Sequence, residues 1–269
     1  MVNADNGRII ELGYTRTSKG QLHWRRCDGA GTAPDLYLLH PAPFTSLAYE
    51  RLLPLVADGR SALAPDYPGC GGSYALAEPP SIGRYAEAIA AIASTESSGP
   101  IDVLGFHSGC LVAIELARRA DIAVRKLVLV DVPAFDPEKR RDLLASLSFP
   151  ATLSADKASI DGLWDMAVTK RADTDGTDTA VRLFADSLRH ADQWPATFFA
   201  AFTYAVEDAC ASVDTPTTII ATDSSLLEPS RRAASLIAAA ELIEVPTIKR
   251  SVLHGAAPEL APHVIGALA

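Results

Sequence analysis

The chain has 269 residues, 48% hydrophobic, 21% charged and 7% aromatic, with a formal net charge of −9. At about 150 residues per domain, that length allows one large α/β domain or two smaller ones, and a core that folds without metal or disulfide. The acidic balance excludes the basic face of a nucleic-acid binder and supplies no polybasic patch for a membrane surface. Cys27, Cys70, Cys110 and Cys210 lie far apart, meet neither the zinc nor the redox spacing, and read as free thiols of a reduced compartment. Residues 1–8 are polar, without the apolar run of a signal peptide, and no stretch approaches 18 uninterrupted apolar residues. The expectation is a soluble cytoplasmic protein, monomer or homodimer, with no cofactor, no metal, no nucleic acid and no membrane partner.

In chain order, Arg8 to Thr15 and Gln21 to Cys27 read as a hairpin around the turn signal Ser18-Lys19-Gly20. Asp35 to Leu39 is a compact apolar strand ending at His40-Pro41. A helical stretch follows, with Leu47, Leu52, Leu55 and Val56 on one side. Ser61 to Pro65 is the next strand, closed by the glycine-rich loop from Asp66 to Ser73. Ser81 suits the N-cap of a helix whose apolar face is Ile82, Tyr85, Ile89 and Ile92. Ile101 to Leu104 is a strand, followed by a turn and a helix from about Gly109 to Ala120. Val124 to Val130 is again a strand. The alternation breaks over about 133–213, then resumes with strand Thr215–Ala221, helix Glu228–Ala239, strand Glu241–Val245 and a last helix. Strands alternating with helices predict a mostly parallel α/β sheet covered on both faces. The predicted organisation is a core of 1–132 and 214–269 with a helical cap inserted at 133–213.

Ligands of such sheets bind beyond the carboxyl ends of the strands. Here those ends carry His40-Pro41, Asp66, the Gly105-Phe106-His107-Ser108-Gly109 turn and Asp131, while His254 follows the last strand. This order resembles the α/β-hydrolase superfamily over nearly the whole chain. His40-Pro41-Ala42-Pro43 is similar to its His-Gly-x-Pro, and the loop Asp66 to Ser73 to its Asp-x-x-Gly-x-Gly-x-Ser. The turn at Gly105 stands where the family has its nucleophile elbow, Gly-x-Ser-x-Gly. Read on its glycines, this elbow puts His107 at the nucleophile position and Ser108 one residue later. Shifted by one, His107-Ser108-Gly109 copies the common His-Ser-x, but then the bulky Phe106 crowds the turn.

The resemblance implies catalytic candidates His107, Ser108 and His254, with Asp131 ranked above Asp223 as the acid partner. His107 has the chemistry of a general base or, more rarely, a nucleophile. Ser108 is a helix N-cap or a nucleophile. Implied oxyanion donors are Ala42, because Pro41 and Pro43 have no N–H, and Ser108 or Gly109 according to register. Asp66 reads as a brace for its loop.

The inserted segment carries Phe149, Leu163, Trp164, Met166, Phe184, Trp194, Phe198, Phe199, Phe202 and Tyr204, mostly a small core of its own. The expected pocket is walled by His40, Phe44, Phe106, Trp164 and Trp194, which suits a small hydrophobic substrate. The resemblance implies a cofactor-independent enzyme acting on an ester, thioester, lactone or C–C bond. The alternatives are a lyase or isomerase using His107 and His254, or a binding protein on the same fold.

Overall fold

The computed structural model describes residues 2–3, 7–146, 157–238 and 240–269. Its strands are β1 (Val2–Asn3), β2 (Ile9–Thr17), β3 (Gly20–Cys27), β4 (Leu36–Leu39), β5 (Ala62–Pro65), β6 (Ile101–Phe106), β7 (Val124–Val130), β8 (Thr217–Thr222) and β9 (Ala240–Val245). They form one sheet in the order β1-β2-β3-β5-β4-β6-β7-β8-β9. β2 and β3 are the predicted hairpin, closing at Thr17 opposite Gly20. β3 joins β5 antiparallel, and every pair from β5 to β9 is parallel.

The helices are α1 (Leu53–Val56), α2 (Ile82–Glu96), α3 (Ser108–Ala117), α4 (Pro137–Ser146), α5 (Ala158–Trp164), α6 (Ala172–Asp175), α7 (Thr177–Leu188), α8 (Trp194–Thr203), α9 (Val206–Ala211), α10 (Leu227–Leu236) and α11 (Ala257–Leu268). Successive strand residues point to opposite faces, so each central strand feeds two cores. Tyr37, Leu39, Val103, Leu127, Leu129 and Ile219 pack under α2, α3, α9 and α10. Leu36, Leu38, Leu104, Val128, Val130 and Ile220 pack under α1 and α11. This double burial is why β4 to β8 read as continuous apolar runs rather than alternating ones.

Helices α4 to α9 lie between β7 and β8. Leu163, Val168, Ala180, Phe184, Ala191 and Trp194 form a third apolar cluster there, apart from the two sheet cores. α9 instead places Val206, Ala209 and Cys210 in the core under α3.

Ser81 caps α2, its hydroxyl accepting from the Arg84 N–H at 3.2 Å. The helical stretch expected over 47–56 is two pieces, a 3-10 turn at Ser46–Tyr49 and the single turn α1. Pro54 explains the break, since it has no N–H to continue the ladder from the preceding turn. All four cysteines are buried and unpaired. Among the described residues no helix is long and apolar enough to cross a membrane.

The β6–α3 turn is the tightest junction of the sheet. A Cβ on Gly105 would sit 2.6 Å from the Cys110 backbone, and one on Gly109 would sit 2.0 Å from the Leu39 carbonyl oxygen. His107 between them takes φ 50, ψ −122. Both glycines are therefore required for α3 to start against the end of β4. Gly109→Ala should lower the urea midpoint by the equivalent of about 2–3 kcal/mol at unchanged slope, the cost of overpacking against backbone. An unchanged midpoint would remove the steric account of this turn.

Candidate active site

The strained turn puts the His107 side chain at the carboxyl edge of the sheet. Its Nε2 lies 3.9 Å from Asp131 Oδ2, too long for a hydrogen bond but close for a charge. Asp131 follows β7 directly and itself has φ 53. Its carboxylate is fully buried and accepts from the Thr222 N–H at 2.8 Å and the Thr222 hydroxyl at 2.7 Å. β7 and β8 run parallel in register, which brings the residue after Val130 level with the end of β8. Burial pushes the Asp131 carboxyl up, against hydrogen bonding from Thr222 and Ser224.

His107 and Asp131 open on a cavity of about 430 Å³, and His254 lines it too. His254 comes from the loop before α11, is buried, and has a hydrogen-bond partner at neither ring nitrogen among the described residues. The apolar part of the wall is Phe44, Phe106, Leu183, Trp194, Phe198 and Leu253. Phe106 packs on the His107 ring with centroids 3.9 Å apart. The loop after β4 supplies the remaining edge and is pinned by the helical insertion. His190 Nε2 bonds the Pro43 carbonyl at 2.9 Å, and the Thr45 hydroxyl donates to Asp186.

Ser108 is the first residue of α3 and its hydroxyl oxygen accepts from the Ala42 N–H at 2.7 Å. That N–H is one of the expected oxyanion donors. The first N–H groups of α3 have no partner within the helix and sit at its positive end.

The profile of the alpha/beta hydrolase family matches residues 36–262. The chain belongs to the alpha/beta hydrolase family. Solved structures with the same fold include a hydrolase from Pseudomonas aeruginosa PA01, at 21% identity and TM-score 0.75, covering 96% of this chain and 97% of that one. The enol-lactonase from Burkholderia xenovorans LB400 is 17% identical at TM-score 0.76, with 95% and 99% covered. The thioesterase domain from the curacin biosynthetic pathway is 17% identical at TM-score 0.72, with 96% and 99% covered. No curated protein matches the chain.

Set against the family's pattern, the glycine-framed elbow presents an imidazole where a serine hydroxyl is usual. His107, His254 and Asp131 all line the cavity, and among the described residues neither ring nitrogen of His254 is hydrogen-bonded to a carboxylate or to Ser108. Asp223 stays outside. Its carboxylate is half exposed and lies 3.4 Å from Lys249 Nζ, because the chain turns back at Asp223 to bond the Ile248 carbonyl. Of the expected pocket walls, Phe44, Phe106 and Trp194 line the cavity and two do not. His40 is fully buried behind the loop, its Nε2 accepting from the Tyr67 N–H at 3.2 Å. Trp164 is 41% exposed, with its ring edge-on to Phe184 on the outer side of the insertion. Phe149 lies outside the described residues. Asp66 accepts from His23 Nδ1, the Ser46 N–H and the Gly72 N–H, bracing its loop. Burial alone would raise its carboxyl, but these donors hold it well below the usual range.

Residues that sequence reasoning missed are Thr222, which holds Asp131, and Arg171, which reaches the cavity from the insertion. Thr222 was readable only from strand register. Arg171 sits in an ordinary charged stretch, and nothing in that stretch marks it. Among the described residues no three His, Cys, Asp or Glu side chains converge as metal ligands.

The His107 side chain is packed among the cavity walls on one side and 42% open on the other. Burial of its packed side, with Arg171 adding a like charge, pushes its pKa down to about 4. Burial lowers His40 to about 4 as well, against the pull of Asp66, and lowers His190 and His254. An unfolded histidine protonates near pH 6.5, whereas these stay neutral when folded. Stability should therefore be complete above pH 6.5 and decline as pH falls toward 4. His40 alone would account for a loss on the order of 3 kcal/mol, at about 1.4 kcal/mol per pKa unit. Asp131 acts with the opposite sign, one carboxyl against four imidazoles. Urea unfolding at pH 7.5, 6, 5 and 4.5 reads the decline, and constant stability across that series would contradict it.

Proposed function

We propose that this chain is a cofactor-independent hydrolase of small, largely hydrophobic esters, thioesters or lactones, with His107 as general base. The observation that carries this reading is the imidazole at the strained turn position, facing a cavity and backed by a buried carboxylate. Asp131 at 3.9 Å from Nε2 favours the tautomer with its proton there and leaves Nδ1 as the acceptor. Nδ1 takes a proton from water, the hydroxide adds to the substrate carbonyl carbon, and the carbonyl pair moves onto oxygen. The free N–H groups at the start of α3 receive that oxyanion. As the tetrahedral species collapses, the proton on Nδ1 passes to the leaving oxygen or sulfur, which restores the neutral ring.

His107 is kept neutral at physiological pH, so the base is available without prior deprotonation. Asp131 contributes more as the imidazolium develops, a differential effect that lowers the barrier. His254, neutral and unpartnered, offers one N–H and one lone pair to the polar end of the substrate. The lactonase and thioesterase among the structural neighbours fit this substrate range. The insertion serves as the cap over the cavity.

The Ser108 hydroxyl is engaged by Ala42 and, among the described residues, has no imidazole bonded to it, which speaks against an acyl-serine. The same contact supports a second reading, a binding protein whose oxyanion site is partly filled by its own serine. A panel of aryl esters, thioesters, lactones and β-diketones separates these. His107→Ala should lower kcat/KM by about a thousandfold, within the range for general-base removal, while Ser108→Ala stays within about tenfold. A fluorophosphonate should leave Ser108 unmodified. Labelling at Ser108 would install the serine mechanism, and a panel on which neither His107→Ala nor His254→Ala changes anything would leave the binding reading.

A further inference from the structure

Arg171 is a cation whose charge acts on both His107 and His254, and no function has yet been given to it. It lines the same cavity as His107 and His254, and its guanidinium lies over the Phe44 ring, 4.7 Å from the centroid. Among the described residues no carboxylate forms an ion pair with it. Asp175, the acid that favours its charge most, is turned to the Ser251 hydroxyl. Asp131 is occupied by Thr222. Burial accordingly disfavours the charged form of Arg171.

A guanidinium partly taken out of water without a close ion-pair partner is costly, and it persists where something is gained by keeping it there. On a chain of net charge −9, the cavity wall still carries four basic residues, Lys170, Arg171, Lys249 and Arg250, against Asp131 and Asp175. Lys249 lies near Asp223, and the other three form no ion pair among the described residues. The Phe44 ring beneath the guanidinium carbon holds the Arg171 head at the cavity wall, and a guanidinium matches a planar, bidentate acceptor.

We propose that Arg171 binds a carboxylate on the substrate, distal to the bond that reacts. The substrate is then an apolar molecule with an acid at one end and the scissile carbonyl at the other. This rests on the hydrolase reading only for the second half of that statement, because recognition of the acid needs no turnover. The apolar segment lies along Phe44, Phe106 and Leu253, and the carbonyl falls beside His107. A neutral cavity floor of unprotonated imidazoles avoids competing with Arg171 for the same anion.

The test uses two non-hydrolysable probes of the same shape, 4-phenylbutyrate and 4-phenylbutyramide, titrated calorimetrically into the full chain at pH 7.5. The carboxylate should bind at least tenfold tighter than the amide. Arg171→Met, similar in length and apolar, should abolish that preference while leaving amide binding and the thermal melt close to those of the parent chain. Arg171→Lys, a point charge without the fork, should retain part of it. His107→Ala should keep the preference although it loses ester turnover, so failure of the catalytic reading and failure of this one give different patterns. Equal affinity for the two probes, no binding of the carboxylate, or a preference that survives Arg171→Met would each overturn the assignment.

Discussion

The candidate site depends on how tightly β6 can turn into α3. Two backbones meet there, the start of α3 and the carbonyl end of β4, with room for a glycine hydrogen at Gly109 and no more. Given that approach, the residue between the glycines must adopt a positive φ, which costs on the order of 1–3 kcal/mol for a non-glycine. The strain is held in place by the surrounding sheet, and its result is a side chain thrown out at the carboxyl edge. A residue one position later begins the helix and points elsewhere. That single step separates His107, which faces the cavity, from Ser108, whose hydroxyl is bonded to Ala42.

The parallel register then sets what His107 meets. β6 pairs with β7 and β7 with β8, so the residues following their last pairs come level at the same edge. The Asp131 N–H bonds the Ile220 carbonyl, and two residues on Thr222 returns two donors to the Asp131 side chain. The carboxylate is thereby buried and oriented by β8 before any histidine is considered. Its distance to His107 follows from strand geometry rather than from a bond between the two.

Much of this was legible from residue order. Apolar runs too short for helices, Ser81 before the Ile82-Tyr85-Ile89 stripe, and glycines four apart at 105 and 109 each have one local physical meaning. The helical stretch read around Leu47 to Val56 is divided in two because apolar spacing says nothing of the hydrogen bond that Pro54 removes. Asp223, ranked below Asp131 as the acid partner, points away from the cavity for a different reason: whether a strand-end aspartate turns inward depends on the backbone pairing after the strand, here with Ile248. Trp164 and Trp194 read alike as aromatics of the insertion, yet one is on its outer side and one on the cavity. Helix orientation within an insertion follows from packing against a partner surface, which periodicity alone does not encode. Arg171 was illegible for the same reason, since a desolvated arginine and a solvated one have the same neighbours in sequence.

Enclosure unites the electrostatics of the cavity. Walls that exclude water lower the imidazoles of His107 and His254, raise the carboxyl of Asp131 and disfavour the charge on Arg171. A lowered imidazole pKa makes a weaker base, which alone would slow proton abstraction. The same low-dielectric surroundings strengthen the attraction between Asp131 and an imidazolium as it forms, whereas the neutral resting ring feels little of it. In the proposed reaction, burial penalises the protonated ring at rest, while a buried carboxylate 3.9 Å away would support it as it forms. If the proposed chemistry holds, the surroundings of the elbow matter to it as much as the residue the elbow carries.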